Sequence, residues 1–314
     1  MSAKDNLTKL PSVSVILPVF NEHLEFLSSS INSILCQSFS DFELIVVDDG
    51  STDYACRNLL STLNSLDQRI RLVRTENHGI VHALNVGISN SKATLIARQD
   101  SDDVSASNRL ALQVKALVSD SCLGLIGTWA HCIDADGRVI YNYSPPTEYF
   151  DILLRQTISN PFIHGSVMFR KSILQGCDGA YTSRVPHCED YDLFSRISSK
   201  HKVANIPLPL YGYRINPHGL SSKNRRLQSA GRAFISYRNL ISCLSYSSAA
   251  YYEYRHSRLL SANPLKLISS LTPYKCFVFY FFLRRLIMLT GIYVRITSRR
   301  LGLYLLLACK IFSG

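Results

Sequence analysis

Residues 42–53 read FELIVVDDGSTD. A run of apolar, largely β-branched residues, Leu44 to Val47, stops at two adjacent acids, Asp48 and Asp49, and then at Gly50, Ser51, Thr52 and Asp53. The run does not alternate with polar residues, so it reads as a strand buried on both faces and closed by a turn. The same pattern flanks it. VSVILPVFNE (13–22) is a buried strand closed by Pro18 and Asn21. RIRLVRT (69–75) is a further strand, and KATLIARQ (92–99) another, which delivers Asp100, Asp102 and Asp103 within four positions. Between them, HLEFLSSSINSILCQ carries Leu24, Leu27, Ile31, Ile34 and Leu35 at helical spacing, and GIVHALNVGISNS places Ile80, Ala83, Leu84 and Ile88 on one side of a second helix. The order strand, helix, strand, strand, helix, strand predicts an α/β sheet, mostly parallel, with helices on both faces.

Parallel α/β sheets bind ligands at the carboxyl ends of their strands. Here those ends carry Pro18 and Asn21, Asp48 and Asp49, and Asp100 to Asp103. No glycine-rich phosphate cradle follows a strand. A site rich in acids handles phosphates through a cation instead. Two carboxylates in a D-x-D pattern suit Mg²⁺ or Mn²⁺, which can bridge to a diphosphate. Taken alone, D-x-D is also a solvated turn, and Asp48-Asp49-Gly50-Ser51 is also a helix cap. Their recurrence at successive ends of one sheet favours a site.

The 314 residues are 46% hydrophobic and 18% charged, a composition that folds around a core. Nine cysteines without a C-x-x-C pair predict reduced, mostly buried thiols. The N-terminal MSAKDNLTKLPS has no apolar segment of the signal-peptide kind, so the active part is expected in the cytosol. Charge is uneven. No acid follows Glu253, and ten bases between Arg255 and Lys310 account for most of the formal +11.

The motifs VSVILPVFNE, ELIVVDDGSTD, LIARQDSDDVS, NPFIHGSVMFRKS and HCEDYDLFSRIS, in this order, resemble family 2 glycosyltransferases of the bacterial kind that build O-antigen, capsule and other surface polysaccharides. The resemblance covers about residues 12 to 220. It implies a GT-A type catalytic domain over 1–220, with a nucleotide-binding half (12–120) and an acceptor half (121–220). It also implies sugar transfer from a nucleotide donor, UDP-linked by the acidic pair, with inversion at the anomeric carbon. By the same resemblance Pro18 and Asn21 touch the nucleotide, and Asp48 and Asp49 hold its base and ribose. Asp100 and Asp102 serve the metal and diphosphate, Asp102 being the direct ligand. Asp190, in the Glu189-Asp190 pair, is the base. The family usually has a glycine before its fourth strand. This chain has SKATLIA there, read as a tolerated change of turn.

The chemistry asks for the same inventory. Single displacement at a sugar carbon needs one carboxylate as base on the acceptor hydroxyl. If a metal neutralises the leaving diphosphate, no acid is needed on that side. His164, ahead of Gly165-Ser166, is either a donor-site residue or a structural histidine. Arg214 and His218, in YGYRINPHGLS (211–221), could reach the diphosphate. Two other readings remain beside transfer: a nucleotidyltransferase of similar fold, and a catalytically dead sugar- or nucleotide-binding module.

Residues 221–314 read as a helical C-terminal region. Its end, 274–312, is intensely apolar, yet its uncharged stretches (276–283, 286–294, 301–309) fall short of the ~18–20 residues of a spanning helix. At about 100° per residue, Lys275, Arg284, Arg285, Arg295, Arg299, Arg300 and Lys310 share one half of the wheel and Phe, Leu, Ile and Val the other. Such a tail is expected to lie on an anionic membrane surface, bases toward headgroups, rather than on nucleic acid. The expected location is peripheral, at the cytoplasmic face of the inner membrane. Packing of the tail on the catalytic domain or a second subunit is the other reading.

Overall fold

The computed structural model describes residues 10–215 and 225–246. Residues up to Ser245 form one compact unit, and the second unit, from Tyr246 on, lies outside the described residues except for Tyr246 itself. The first half follows the sequence: β1 (Val13–Val19), α1 (Leu24–Leu35), β2 (Phe42–Asp49), α2 (Tyr54–Leu66), β3 (Ile70–Thr75), α3 (Ile80–Asn90) and β4 (Leu95–Arg98). These strands stand in the order β3-β2-β1-β4, all parallel.

The sequence pattern predicts no helix between strand 42–53 and strand 69–75. The structure has α2 there, capped by the Asp53 carboxylate on the N–H groups of Ala55 and Cys56. A parallel β2–β3 pair requires such a crossover. Pro18 also differs from expectation: it lies inside β1, opposite Val47, rather than in the loop beyond. The β1–β4 pairing ends at Ile16, so from Pro18 onward β1 needs partners on one side only and the missing N–H is tolerated.

The second half is not the continuation of a parallel sheet. It comprises β5 (Val104–Ser105), α4 (Arg109–Ser119), β6 (Leu123–Ile133), β7 (Val139–Tyr143), α5 (Tyr149–Gln156), a 3-10 turn at His164–Ser166, β8 (Met168–Arg170), α6 (Ile173–Gly176), α7 (Glu189–Ser198), β9 (Lys202–Arg214) and α8 (Arg225–Tyr246). The sheet runs on as β4-β8-β6-β9-β5, with β7 on β6. β8 is antiparallel to β4 and β6, while β6 and β9 are parallel. Two inversions return β6 to the direction of β4, so the carboxyl ends of β1, β2, β4, β6 and β9 lie at one edge of a mixed sheet.

Both faces are covered. Val13, Val15 and Leu17 of β1 pack against Leu27, Ile31 and Ile34 of α1. Ile16, Ile96, Leu125 and Phe169 pack with Leu84 of α3 and Leu193 and Phe194 of α7. Leu27, Ile31 and Ile34 are fully buried. Each such side chain contributes about 1.5–3 kcal/mol, which makes α1 a firm wall behind the strand ends. The turn before β4 that lacks the family's glycine is held by buried Glu43, which accepts from Lys92 N at 2.7 Å and Ser14 Oγ at 2.6 Å and pairs with Arg71 at 2.9 Å. Burial pushes the Glu43 carboxyl up, but these donors hold it below its ordinary value.

Candidate active site

At the first two strand ends, polar side chains bond to backbone. Asn21 has φ +48°, and its Oδ1 accepts from Thr52 N at 2.8 Å and Asp53 N at 3.0 Å, which ties the β1–α1 loop to the β2–α2 loop. Asp48 Oδ1 accepts from Ser51 N at 2.9 Å, and its Oδ2 lies 3.5 Å from Arg74. Asp49 accepts from His78 N at 3.1 Å and Gly79 N at 2.8 Å, and so holds the loop that starts α3. Both acids are buried. Asp49 therefore shapes the wall of the cleft through backbone bonds, whereas Asp48 keeps one oxygen beside Arg74.

The third strand end is the densest. Arg98, only 2% exposed, donates to Asp100 Oδ1 at 2.6 Å and to the Gln99 carbonyl. Arg109, fully buried on α4, donates to the carbonyls of Arg98 (3.0 Å) and Gly165 (2.9 Å) and lies over the Tyr211 ring. The Tyr211 hydroxyl accepts from Asp100 N at 3.1 Å. This convergence needs a glycine at 165: a Cβ there would meet Tyr211 Oη at 1.8 Å and Asp100 Oδ2 at 2.6 Å.

The three acids of DSDD take different roles. Asp103, 1% exposed, turns inward and accepts from Arg214 N at 2.6 Å. Burial, then the charges of Asp100 and Asp102, push its carboxyl well above the usual range. Asp102 is pushed up to about 7 by burial first, then by Asp100 and by Glu22. Glu22, which the sequence reading missed, accepts from Ser101 Oγ at 2.7 Å. Asp100, Asp102 and Glu22 thus form an acid group balanced nearby by Arg98. No three His, Cys, Asp or Glu side chains converge as a complete metal site among the described residues. Mg²⁺ commonly takes one or two carboxylates and completes its shell from phosphate and water. The negative charge gathered at Asp100, Asp102 and Glu22 fits such a cation.

Arg214 departs from its expected role. Its Nε donates to the Asp102 carbonyl and its Nη1 to the carbonyls of Asp134 and Ala135, each at 2.7 Å, and its guanidinium lies over Phe26. It braces the DSDD loop from behind. His218 lies outside the described residues.

Across the cleft, α7 opens with Glu189 and Asp190, where its N-terminal dipole favours acids. Asp190 Oδ2 accepts from Asn160 Nδ2 at 2.8 Å. Burial, then the Asp190 charge, push Glu189 up to about 7. His164 Nε2 lies 3.0 Å from the Tyr181 hydroxyl, and its ring packs on Phe194 of α7. Burial, then Arg98, push His164 down to about 4, so it is neutral at pH 7. Because Arg98, Asp100 and Asp190 all act on His164, the structure brings the two acid groups together with the histidine among them.

Helix α8 fixes α7. Ser236 Oγ lies 3.1 Å from Tyr191 Oη, Arg238 donates to Asp192 at 2.7 Å, and Asn239 donates to Ser195 Oγ and to the Gln156 carbonyl, each at 2.9 Å. Gly231 packs against Val185 and Cys188, just ahead of Glu189.

The chain is similar to known glycosyltransferases. The O-antigen biosynthesis glycosyltransferase WbnJ of Escherichia coli is 31% identical over 77% of this chain and 89% of its own length. The putative glycosyltransferase EpsE of Bacillus subtilis is 35% identical over 65% of this chain and 73% of its own. Among solved structures, S. aureus TarS 1–349 in complex with UDP shares the fold, with a TM-score of 0.52 and 18% identity over 80% of this chain and 75% of that one. The profile of glycosyl transferase family 2 matches residues 14–177, about half of the chain. With that match, and the extent of the WbnJ alignment, the chain belongs to glycosyl transferase family 2 and is a glycosyltransferase.

Proposed function

We propose that the enzyme moves a sugar, with inversion, from a UDP-linked donor to a hydroxyl of a glycan or lipid-linked acceptor during the building of a surface polysaccharide. One observation carries this reading: two acid groups, Asp100 and Asp102 at a strand end and Glu189 and Asp190 at a helix start, lie close enough that Asp100 and Asp190 both act on the buried, neutral His164. UDP in TarS and the O-antigen role in the name of WbnJ support the donor and the pathway class.

In this reading Asn21 and Asp48 line the nucleotide pocket and Asp49 sets its wall. Asp100 and Asp102 would hold Mn²⁺ or Mg²⁺, which when bound neutralises the leaving diphosphate. Asp190, the member of the Glu189-Asp190 pair that the family resemblance marks as base, takes the acceptor's proton. The acceptor oxygen bonds to the anomeric carbon as its proton passes to Asp190, and the bond to the diphosphate breaks on the opposite side. Neutral His164 adds no charge that would compete for Asp190.

Calorimetric titration of UDP with and without Mn²⁺ tests the donor side. Asp102→Asn is expected to keep the fold, lose the Mn²⁺-dependent part of binding and reduce transfer to background. Undiminished turnover by this variant in EDTA would refute the metal role.

We also place the enzyme peripherally on the cytoplasmic face of the membrane through residues 274–314, which lie outside the described residues. No helix among the described residues is long and apolar enough to cross a membrane. The full chain should sediment with anionic vesicles and a chain lacking 274–314 should not. Equal sedimentation would move the contact elsewhere.

A further inference from the structure

On β6, Ala130 and Cys132 stand opposite Tyr211 and Tyr213 of β9 and opposite Tyr143 and Tyr141 of β7. Strand residues two apart share a face, so Tyr213, Cys132 and Tyr141 form one cross-strand row, and Tyr211, Ala130 and Tyr143 the row beside it. The rows begin at the acid cluster, since the Tyr211 hydroxyl bonds Asp100 N. Exposure rises outward, from 1% at Tyr211 through 36% at Tyr213 to 52% at Tyr141. The alternate residues His131, Ile133 and Arg214 turn the other way, with Phe26 of α1, around a groove of about 490 Å³. β7 reads Val-Ile-Tyr-Asn-Tyr and carries no charge.

We propose that this tyrosine face binds the acceptor saccharide, seating the pyranose rings that precede the reacting hydroxyl. The inference rests on the glycosyl-transfer reading above. A pyranose has an apolar C–H face and a rim of hydroxyls. Tyrosine offers a matching apolar ring with a polar tip. Tyr213 and Tyr141 are two strand spacings apart, about 10 Å, a span suited to consecutive sugars rather than to one small group. An anionic ligand is disfavoured, because the inner end of the face adjoins Asp100, Asp102 and Asp103 and the strand that ends it brings no cation. Continuity with the cleft distinguishes this surface from an ordinary exposed hairpin: a chain of sugars on it leads to the acids that would perform the transfer.

The experiment is saturation-transfer NMR on the full chain, with and without UDP. The probes are methyl β-glucopyranoside, methyl β-galactopyranoside and the methyl glycoside of N-acetyl-β-glucosamine. At least one glycoside should receive saturation on its ring hydrogens. The double variant Tyr141→Ala/Tyr143→Ala should bind it about tenfold more weakly, a difference of about 1.4 kcal/mol. Tyr141→Phe/Tyr143→Phe should retain most of the signal, because the rings remain. UDP affinity should be the same in all three proteins, which also reports that the variants fold. Silence of all three glycosides, or an undiminished signal from the alanine variant, overturns the proposal. So does an alanine variant with intact glycoside signals but altered sedimentation, which would assign the face to self-association. If UDP fails to bind the unsubstituted chain, the transferase reading falls, while the glycoside signals judge the tyrosine face separately.

Discussion

Asp100 and Asp102 end a buried parallel strand, whereas Glu189 and Asp190 open a helix that packs on the sheet and is held in addition by α8. On the strand side the loop is fastened by backbone-directed bonds from side chains within it and beneath it: Arg98, Arg109, Tyr211 and Arg214. On the helix side Asp190 accepts from one side chain among the described residues, Asn160, and α7 is held by Ser236, Arg238 and Asn239 of α8. Strand-end acids are thus set within the sheet, and the helix acids by the packing of α7 on the sheet and on α8 together.

The sharpest way to break the contrast is at Asp190. Asp190→Asn should lower kcat by on the order of 10²–10⁴, the usual cost of losing a general base. UDP affinity should not change. Collapse of UDP binding, with normal transfer of bound donor, would place the base elsewhere.

Gly165→Ala probes the strand side. The new methyl meets Tyr211 Oη and Asp100 Oδ2. Overpacking of this kind costs about 1–3 kcal/mol. Thermal unfolding should show a loss of several degrees, accompanied by weaker UDP binding. Wild-type values for both would show that the convergence on Gly165 can relax freely.

A change of similar size, but confined to high pH, is expected at Glu189. Its carboxyl stands at about 7 in the fold against an ordinary 4.5. The unfolded chain therefore loses this proton first, so Glu189 costs stability progressively as pH rises from about 4.5 to 7, and fully above that. Glu189→Gln removes the cost. The variant should gain about 1–3 kcal/mol at pH 8 and little at pH 5, read as a rise in melting temperature at pH 8 alone. An equal shift at both pH values would mean that the charge of Glu189 is not what the fold opposes.

Much of the strand side was legible in the sequence, because the signal there is local. Continuous apolar runs marked β1, β2 and β4, and their abrupt acidic ends marked the cleft. The missing helix α2 has only Cys56 and Leu60 buried, too narrow a stripe to stand out from its polar surroundings. The Asp53 cap, three residues ahead of Cys56, was the available clue. Arg98 and Arg109 were not legible as site residues. One arginine at the end of an apolar run looks like the edge of a strand, and its burial is decided by partners elsewhere in the chain. Glu22 was hidden beside Asn21, since its nearness to Asp102 exists only in the folded sheet. Arg214 was seen, but the sequence could not tell a side chain aimed at a ligand from one aimed at three carbonyls. The pairing of β6 with β9 has no local code at all, being parallel and broken by register shifts near Trp129.

That late pairing also sets a timetable for synthesis. Asp100 N–H finds Tyr211 and the Asp103 carboxylate finds Arg214, in each case 111 residues downstream. At roughly 5–20 residues per second, a ribosome takes about 5–20 seconds to supply those partners. During that interval β1 to β4 can already pair, but the DSDD loop has no floor and its acids stay in water. A nascent chain stopped short of Tyr211 would carry a finished-looking parallel half without the loop geometry of the complete enzyme. Competence therefore arrives late, when β9 enters between β6 and β5, near one edge of a sheet that was begun from the other.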